Sequence, residues 1–380
     1  MPDAHFVALV RQGDRPRVNT RLGGLLAQAY PQATVDDIDV LDAVRHARID
    51  WARAALSGAV VSARALATRR IGTKRAIVAS PGYRRAVRRV VASRVHPATH
   101  RFTLQSQSLF DGTVEGVPHF VYTDHAHLAN LGYPGFDRAR LASRQFLAME
   151  ARLYAAATMV FTRSEHVRDT IVHGYGCDPD RVAVIGVGPN VDSATIAPHE
   201  GWYGGRIVFV GVDWERKGGP DLVAAFRRLR RDHPSVRLDI VGCSPGVGGD
   251  GIEVHGRRSL SEVSRLMASA DIFCLPTLAE PFGVAYIEAM HAGLPVVGTR
   301  LGAVPDFVLA GRTGQLVTPG DVDDLHRTLA GMVTDVDATL EMGRHARELA
   351  IERYDWGVVM HAMTTHIDRC LGDGHPATHG

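Results

Sequence analysis

Five short runs in the second half of the chain constrain its fold more than any other feature: Ile207–Gly211, Arg237–Gly242, Asp271–Leu275, Pro295–Gly298 and Gly314–Val317. Each is nearly continuous in apolar, mostly β-branched residues instead of alternating apolar with polar. A strand of that kind buries both of its faces, which requires helices on both sides of a parallel sheet. Between the runs, apolar residues recur at three- and four-residue steps, as in Leu222, Val223, Phe226 and Leu229, or Val263, Leu266 and Met267. The pattern predicts a doubly wound α/β domain with its ligand at the carboxyl ends of the strands.

The first half repeats the theme less regularly. Strands are expected at His5–Val10, Thr34–Val40, Ile77–Ala79, Arg101–Gln105, Val117–Thr123 and Met159–Thr162, and helices at Asn19–Tyr30 and Leu141–Ala157. The Gly- and Pro-rich stretch Gly186–Gly205 reads as an interdomain linker. A chain of 380 residues is long enough for two cores. The expected division is residues 1–192, residues 193–355, and a terminal piece 356–380 made of a helix from Trp356 and a disordered tail.

With 45% hydrophobic and 22% charged residues the composition is that of a globular protein. No apolar run approaches the roughly 20 residues that span a bilayer, and Phe6–Val10 is too short for a secretory signal. The expected compartment is the cytoplasm. Cys177, Cys243, Cys274 and Cys370 fit no metal-ligand spacing, and the histidines form no H-E-x-x-H pair, so no metal site is expected. Cys243 and Cys274 lie in apolar runs and read as core residues.

The net charge of +2 conceals an asymmetry, because Trp51–Phe110 holds twelve Arg and Lys and no Asp or Glu. Within it, Tyr83–Val95 is amphipathic, with Val87, Val90, Val91 and Val95 on one face and Arg84, Arg85 and Arg88 on the other. Two readings stand: an ordinary surface helix, or an Arg84–Val95 segment that rests on an anionic inner-membrane surface or guides an acidic acceptor. Nucleic acid is not an expected partner, since no aromatics interleave with the cations to stack bases.

Two segments carry chemistry. In Phe209–Gly219 a strand enters a loop with adjacent cations, Arg216 and Lys217, then two glycines and a helix start. Such a loop presents positive charge and backbone N–H groups to a diphosphate. In Glu280–Val297, Glu280 precedes a helix expected to start near Gly283, and Glu288 lies on that helix. Paired carboxylates accept hydrogen bonds from sugar hydroxyls, and free N–H groups at a helix start favour an anion.

Together these segments resemble a family-4 retaining glycosyltransferase with the GT-B fold. Arg216-Lys217-Gly218 resembles the family's diphosphate-binding element, and Glu280 to Glu288 resembles its E-x7-E signature, continued by Ala289-Met290 and Gly293-Leu294-Pro295-Val296. Gly211 is followed by Val212, where many members have arginine, so Arg216 takes that role by resemblance. The resemblance implies two Rossmann-like domains facing across a cleft. It implies that Arg216 and Lys217 neutralise the leaving diphosphate and Glu280 binds the donor sugar. Phe282 and Gly283 would orient sugar and phosphate through their N–H groups, and Glu288 would hold the ribose.

His125, in Tyr122-Thr-Asp-His-Ala-His127, resembles the family's histidine beside the reacting sugar, with His127 as a competitor. Gly23 and Gly24 resemble its glycine-rich donor loop. The implied partners are a nucleotide-diphosphate-sugar donor and a glycan, lipid-linked or small-molecule acceptor, with no cofactor and no metal. A nucleotide-sugar epimerase or hydrolase, or a non-catalytic nucleotide-sugar-binding protein, would carry much of the same pattern.

Overall fold

The computed structural model describes residues 5–14, 17–61, 63, 72–199 and 201–372. Its first half contains strands β1 (Phe6–Arg11), β2 (Thr34–Asp39), β3 (His100–Ser106), β4 (His119–Thr123), β5 (Met159–Thr162) and β6 (Val182–Val184). They form one parallel sheet in the order β2-β1-β3-β4-β5-β6. Its helices are α1 (Val18–Ala29), α2 (Val40–His46), α3 (Arg48–Val61), α4 (Thr73–Val78), α5 (Pro81–Arg94), α6 (Arg144–Ala156) and α7 (Glu165–Asp169).

The second half holds β7 (Arg206–Val210), β8 (Arg237–Val241), β9 (Ile252–Gly256), β10 (Ile272–Cys274), β11 (Val296–Thr299) and β12 (Gly314–Val317), all parallel, in the order β12-β11-β10-β7-β8-β9. Around them lie α8 (Gly219–Asp232), α9 (Leu260–Ala268), α10 (Val284–His291), α11 (Val304–Phe307), α12 (Val322–Thr334) and α13 (Val336–Arg353). Counted from its own first strand, this is the 3-2-1-4-5-6 order of a dinucleotide-type sheet, whose switch point falls between β7 and β10. The apolar runs bury on both faces as their composition requires: Ile207, Val208, Phe209, Ile272, Phe273, Val296 and Val297 have no exposed surface.

The last helix, α14 (Trp356–Gly372), leaves the second domain and returns to the first. Trp356 Nε1 donates to Pro189 O at 2.8 Å, Tyr30 Oη donates to Asp368 at 3.3 Å, and the His366 ring lies 6.1 Å from that of Phe161. Its buried face, Val359, Met360, Met363 and Ile367, joins a core cluster shared with Leu22, Leu26 and Phe161. The expected tail beyond Gly372 lies outside the described residues.

Three expectations are corrected. Ile77–Ala79 is the end of helix α4 and the turn after it, not a strand. Ala76 packs so closely on α3 that a Cβ on Gly58 would stand 2.8 Å from Ala76 O, so tertiary contact overrides a β-branched run of two residues. Gly23 and Gly24 lie inside α1, where they form no loop. The glycine that does turn the chain after β1 is Gly13, at φ +70°. The apolar face of the Tyr83–Val95 segment is not free either, because Val87, Val91 and Val95 are buried in a core cluster with Ala54 and Tyr83. Any contact that α5 makes with a membrane is therefore through its arginines alone.

Candidate active site

The loops that follow β7 and β10 meet at the switch point and are stitched to each other. Leu278 N donates to Arg216 O at 2.8 Å, Thr277 Oγ1 to the same oxygen at 3.1 Å, and Arg216 Nη1 to Ala279 O at 2.7 Å. The stitch demands glycine at one point. Gly218 has φ +72°, and a Cβ there would sit 1.9 Å from Pro276 O, inside the van der Waals surface of the neighbouring loop. Gly283, at φ +94°, caps the start of α10 in the same left-handed region.

These loops form one wall of a cleft of about 410 Å³. Arg216, Lys217, Glu280, Phe282 and Gly283 all line it. From the first domain come Asp124, His125, Asn130, Tyr133 and Arg163, and Asn190 comes from the connecting segment. Lys217 Nζ donates to Glu280 Oε2, with side chains 12% and 6% exposed, so cation and carboxylate are largely removed from water. Arg216 is more open and is held by Asp213 at 3.1 Å. Glu288 is buried behind this wall and does not line the cleft. Its Oε1 accepts from Asn190 N at 3.0 Å and Asn190 Nδ2 at 2.9 Å. Burial raises its carboxyl above the usual range, against the Asn190 hydrogen bonds and the charges of Arg17 and Arg21.

Across the cleft, His125 follows the carboxyl end of β4. Asn130 Nδ2 lies 3.0 Å from His125 Nε2 and donates to His127 O at 3.0 Å. With the amide donating, Nε2 accepts and the ring proton sits on Nδ1. Burial lowers the His125 pKa, His127 and His166 add to the effect, and Asp124 and Glu150 oppose it. His127 is placed differently: its Nδ1 lies 3.6 Å from Glu150 Oε1, and it does not line the cleft.

Glu150, on α6, has no exposed surface. It accepts from His127 N at 3.2 Å, Ser108 Oγ at 2.8 Å and the Tyr175 hydroxyl. Tyr175 Oη in turn accepts from Leu128 N at 3.3 Å. The short helix His127–Gly132 has no cap from its own N-terminal side chain, so Glu150 and Tyr175 take up its first N–H groups from below. That helix carries Asn130 and leads into Tyr133, whose phenol is pushed above its ordinary value by burial and by Glu280. Arg163 is 2% exposed, bonds Asp124 at 3.1 Å and stacks over Tyr122 at 4.9 Å.

Asp124 and Arg163 were within reach of sequence reasoning, since both directly follow parallel strands. Asn130, Tyr133, Asn190 and Glu150 carried no such signal. Among the described residues, one His/acid trio has candidate ligand atoms within 4.8 Å of each other: Asp239, Glu253 and His255. Asp239 already pairs with Arg206 at 3.1 Å and His255 at 2.6 Å, and the trio shares no residue with the cleft.

Two six-stranded parallel sheets, facing each other across a cleft lined from both sides, define a protein of the GT-B fold. Solved structures agree: sucrose-phosphate synthase from Thermosynechococcus elongatus superposes with TM-score 0.69 at 15% identity, over 97% of this chain and 100% of that one. HepE of Anabaena, solved with UDP and glucose, gives TM-score 0.65 at 16% identity, over 96% and 100%. Residues 204–335 match the family described as Glycosyl transferases group 1.

Among curated proteins it is similar to an MMP alpha-(1->4)-mannosyltransferase of Mycolicibacterium hassiacum, 31% identical over 56% of this chain and 54% of that protein. It is also similar to a phosphatidyl-myo-inositol mannosyltransferase of Mycobacterium leprae, 34% identical over 45% and 49%. The match thus spans about half the length of these curated relatives.

Proposed function

We propose that this chain is a retaining glycosyltransferase that moves a sugar, most simply a hexose, from a nucleotide-diphosphate sugar to a hydroxyl of a glycan, lipid-linked or small-molecule acceptor. The observation that carries the proposal is the meeting of Arg216, Lys217 and Glu280 at the switch point of the second sheet, opposite His125. Ligands of such sheets lie at the strands' carboxyl ends, and a diphosphate is matched by two cations on one loop. As the anomeric C–O bond breaks, its electron pair goes to the diphosphate oxygen. Fixed cations there stabilise the transition state more than the ground state. The acceptor oxygen bonds to the anomeric carbon on the same face, and its proton passes to the departing phosphate oxygen.

Glu280 and the N–H groups at the Gly283 turn would hold the sugar. In this arrangement Glu288 is engaged by Asn190, so contact with the ribose would use its second oxygen or follow release of Asn190. The chemistry assigned to the side chains needs no metal, and activity should persist in EDTA. A cytoplasmic site of action, and an electrostatic contact of the α5 arginines with an anionic inner-membrane surface, fit the same reading. No helix among the described residues is long and apolar enough to cross a membrane.

The test is a screen of UDP-, GDP- and ADP-hexoses for thermal stabilisation, followed by incubation of the stabilising donor with an acceptor panel. The expected product keeps the donor's anomeric configuration by NMR. Donor consumption with no acceptor product would support an epimerase or hydrolase instead. Binding without turnover would leave a non-catalytic nucleotide-sugar-binding protein.

A further inference from the structure

Helix α3 is apolar on two opposite sides. Its inner side, with Ala54 and Gly58 buried and Trp51 and Ala55 half-buried, packs in the core cluster of α5. On the outer side Ile49, Leu56 and Val60 recur at i, i+7 and i+11, one line along the helix. They are 70%, 69% and 72% exposed, and Val61 beside them is 63% exposed. Four of the eleven large apolar side chains exposed among the described residues fall on this one helix, so they form a patch and not the usual scatter.

Cations flank the patch along its own helix. Arg53 lies on the same line between Ile49 and Leu56 and is 70% exposed. Arg48 stands exposed at the N-terminal end, whereas Arg45 and Lys74 line a neighbouring cleft with Asp14, Asp39 and Asp42. Asp50, the helix's one acid, is bonded by Arg89 and lies 3.9 Å from Arg53. From Trp51 to Phe110 no further acid occurs. A folded protein partner would have to match these arginines with acids placed one by one around an apolar ridge. An anionic bilayer offers diffuse negative charge above hydrocarbon, which is the complement of a ridge of Ile, Leu and Val set among cations.

We propose that the outer face of α3 seats the first domain on an anionic lipid bilayer, with Ile49, Leu56 and Val60 entering the headgroup boundary. This lies beyond the transfer reaction and does not depend on it. It also differs from a contact through α5, whose apolar side is inside the protein.

The test is flotation of the full chain with phosphatidylcholine vesicles, with and without phosphatidylglycerol. The expected result is binding to the anionic vesicles only, weakened by salt, and reduced at least about tenfold in a Leu56→Asp, Val60→Asp double variant. Both side chains face water, so the double variant should melt at the wild-type temperature. Ile351→Asp, at an exposed apolar residue on α13, should bind like wild type. Failure of the wild-type chain to float with anionic vesicles overturns the proposal, as does wild-type flotation of the double variant. Concentration-dependent dimerisation that the double variant abolishes, without vesicle binding, reassigns the face to a second copy of this chain.

Discussion

Lys217 and Glu280 neutralise each other in a part of the cleft that little water reaches. On the proposed reading, a diphosphate arriving there would draw the ammonium toward itself and free the carboxylate for sugar hydroxyls, exchanging one bond for two. Lys217→Ala should therefore lower kcat/KM by about 10²–10³-fold, the scale of losing one fixed donor to a developing anion. Steady-state kinetics with the stabilising donor measures this, and activity within a few-fold of wild type would remove Lys217 from the mechanism.

On the opposite wall, burial depresses the His125 pKa below its ordinary 6.5. The folded state thus disfavours the imidazolium. Activity that needs the neutral ring should persist as pH falls, with its acid limb below the usual histidine range. The charges facing His125 are Asp124 and Glu150, which raise its pKa, and His127 and His166, which lower it. Glu150→Gln removes one of the raising charges, so the acid limb of the kcat profile should move further down. A merely structural role for Glu150 would change the melting temperature and leave that limb in place.

At the scale of elements, the two loops after β7 and β10 act as one unit because Gly218 lets them touch. Gly218→Ala must either abandon φ +72° or push Pro276 O away from 1.9 Å. A cost of about 1–3 kcal/mol in denaturant melts is expected, together with weaker donor stabilisation in the thermal screen.

The elements differ in how plainly the sequence announces them. Central strands such as β7 and β10 are covered on both faces and spell this out in unbroken apolar residues. The edge strands β6 and β9 were missed, because an edge strand such as Ile252–Gly256 alternates Glu253 and His255 with Ile and Val. That Arg216, Lys217 and Glu280 would meet in one cleft was legible because all three lie in loops at the carboxyl ends of parallel strands. Gly23 and Gly24 misled because a glycine pair reads as a loop, yet a helix tolerates it when Leu22 and Leu26 anchor the buried face. Glu150 lay beyond reach, since only the packed fold sets it under the His127–Gly132 helix.

At the scale of the molecule, the domains touch through Asp306 on α11, which accepts from Glu165 N at the start of α7 at 2.8 Å. Burial, with repulsion from Glu165 and Asp169 and against the Glu165 hydrogen bond, raises the Asp306 pKa to about 6 from an ordinary 3.8. For an acid raised on folding, the stabilising contribution is complete below the unfolded value and is lost as pH rises through about 6. Asp306→Asn keeps an acceptor for Glu165 N without the charge. It should melt higher than wild type at pH well above that value, with the difference shrinking on acidification. Thermal melts across pH, with equal midpoints throughout, would show that this contact carries no linkage.

The return of α14 means that the first domain is assembled from two separated lengths of chain. A fragment stopping after the last strand of the first sheet would leave Tyr30 and Phe161 without the wall that Met363, His366 and Ile367 provide. The polypeptide also crosses between the halves twice, once on the way out through Pro189 and once on the way back at Trp356, and the two crossings are bonded to each other. Any opening or closing of the cleft would therefore have to bend a doubled strap. One half can tilt against the other about it, but swinging freely would require Trp356 to let go.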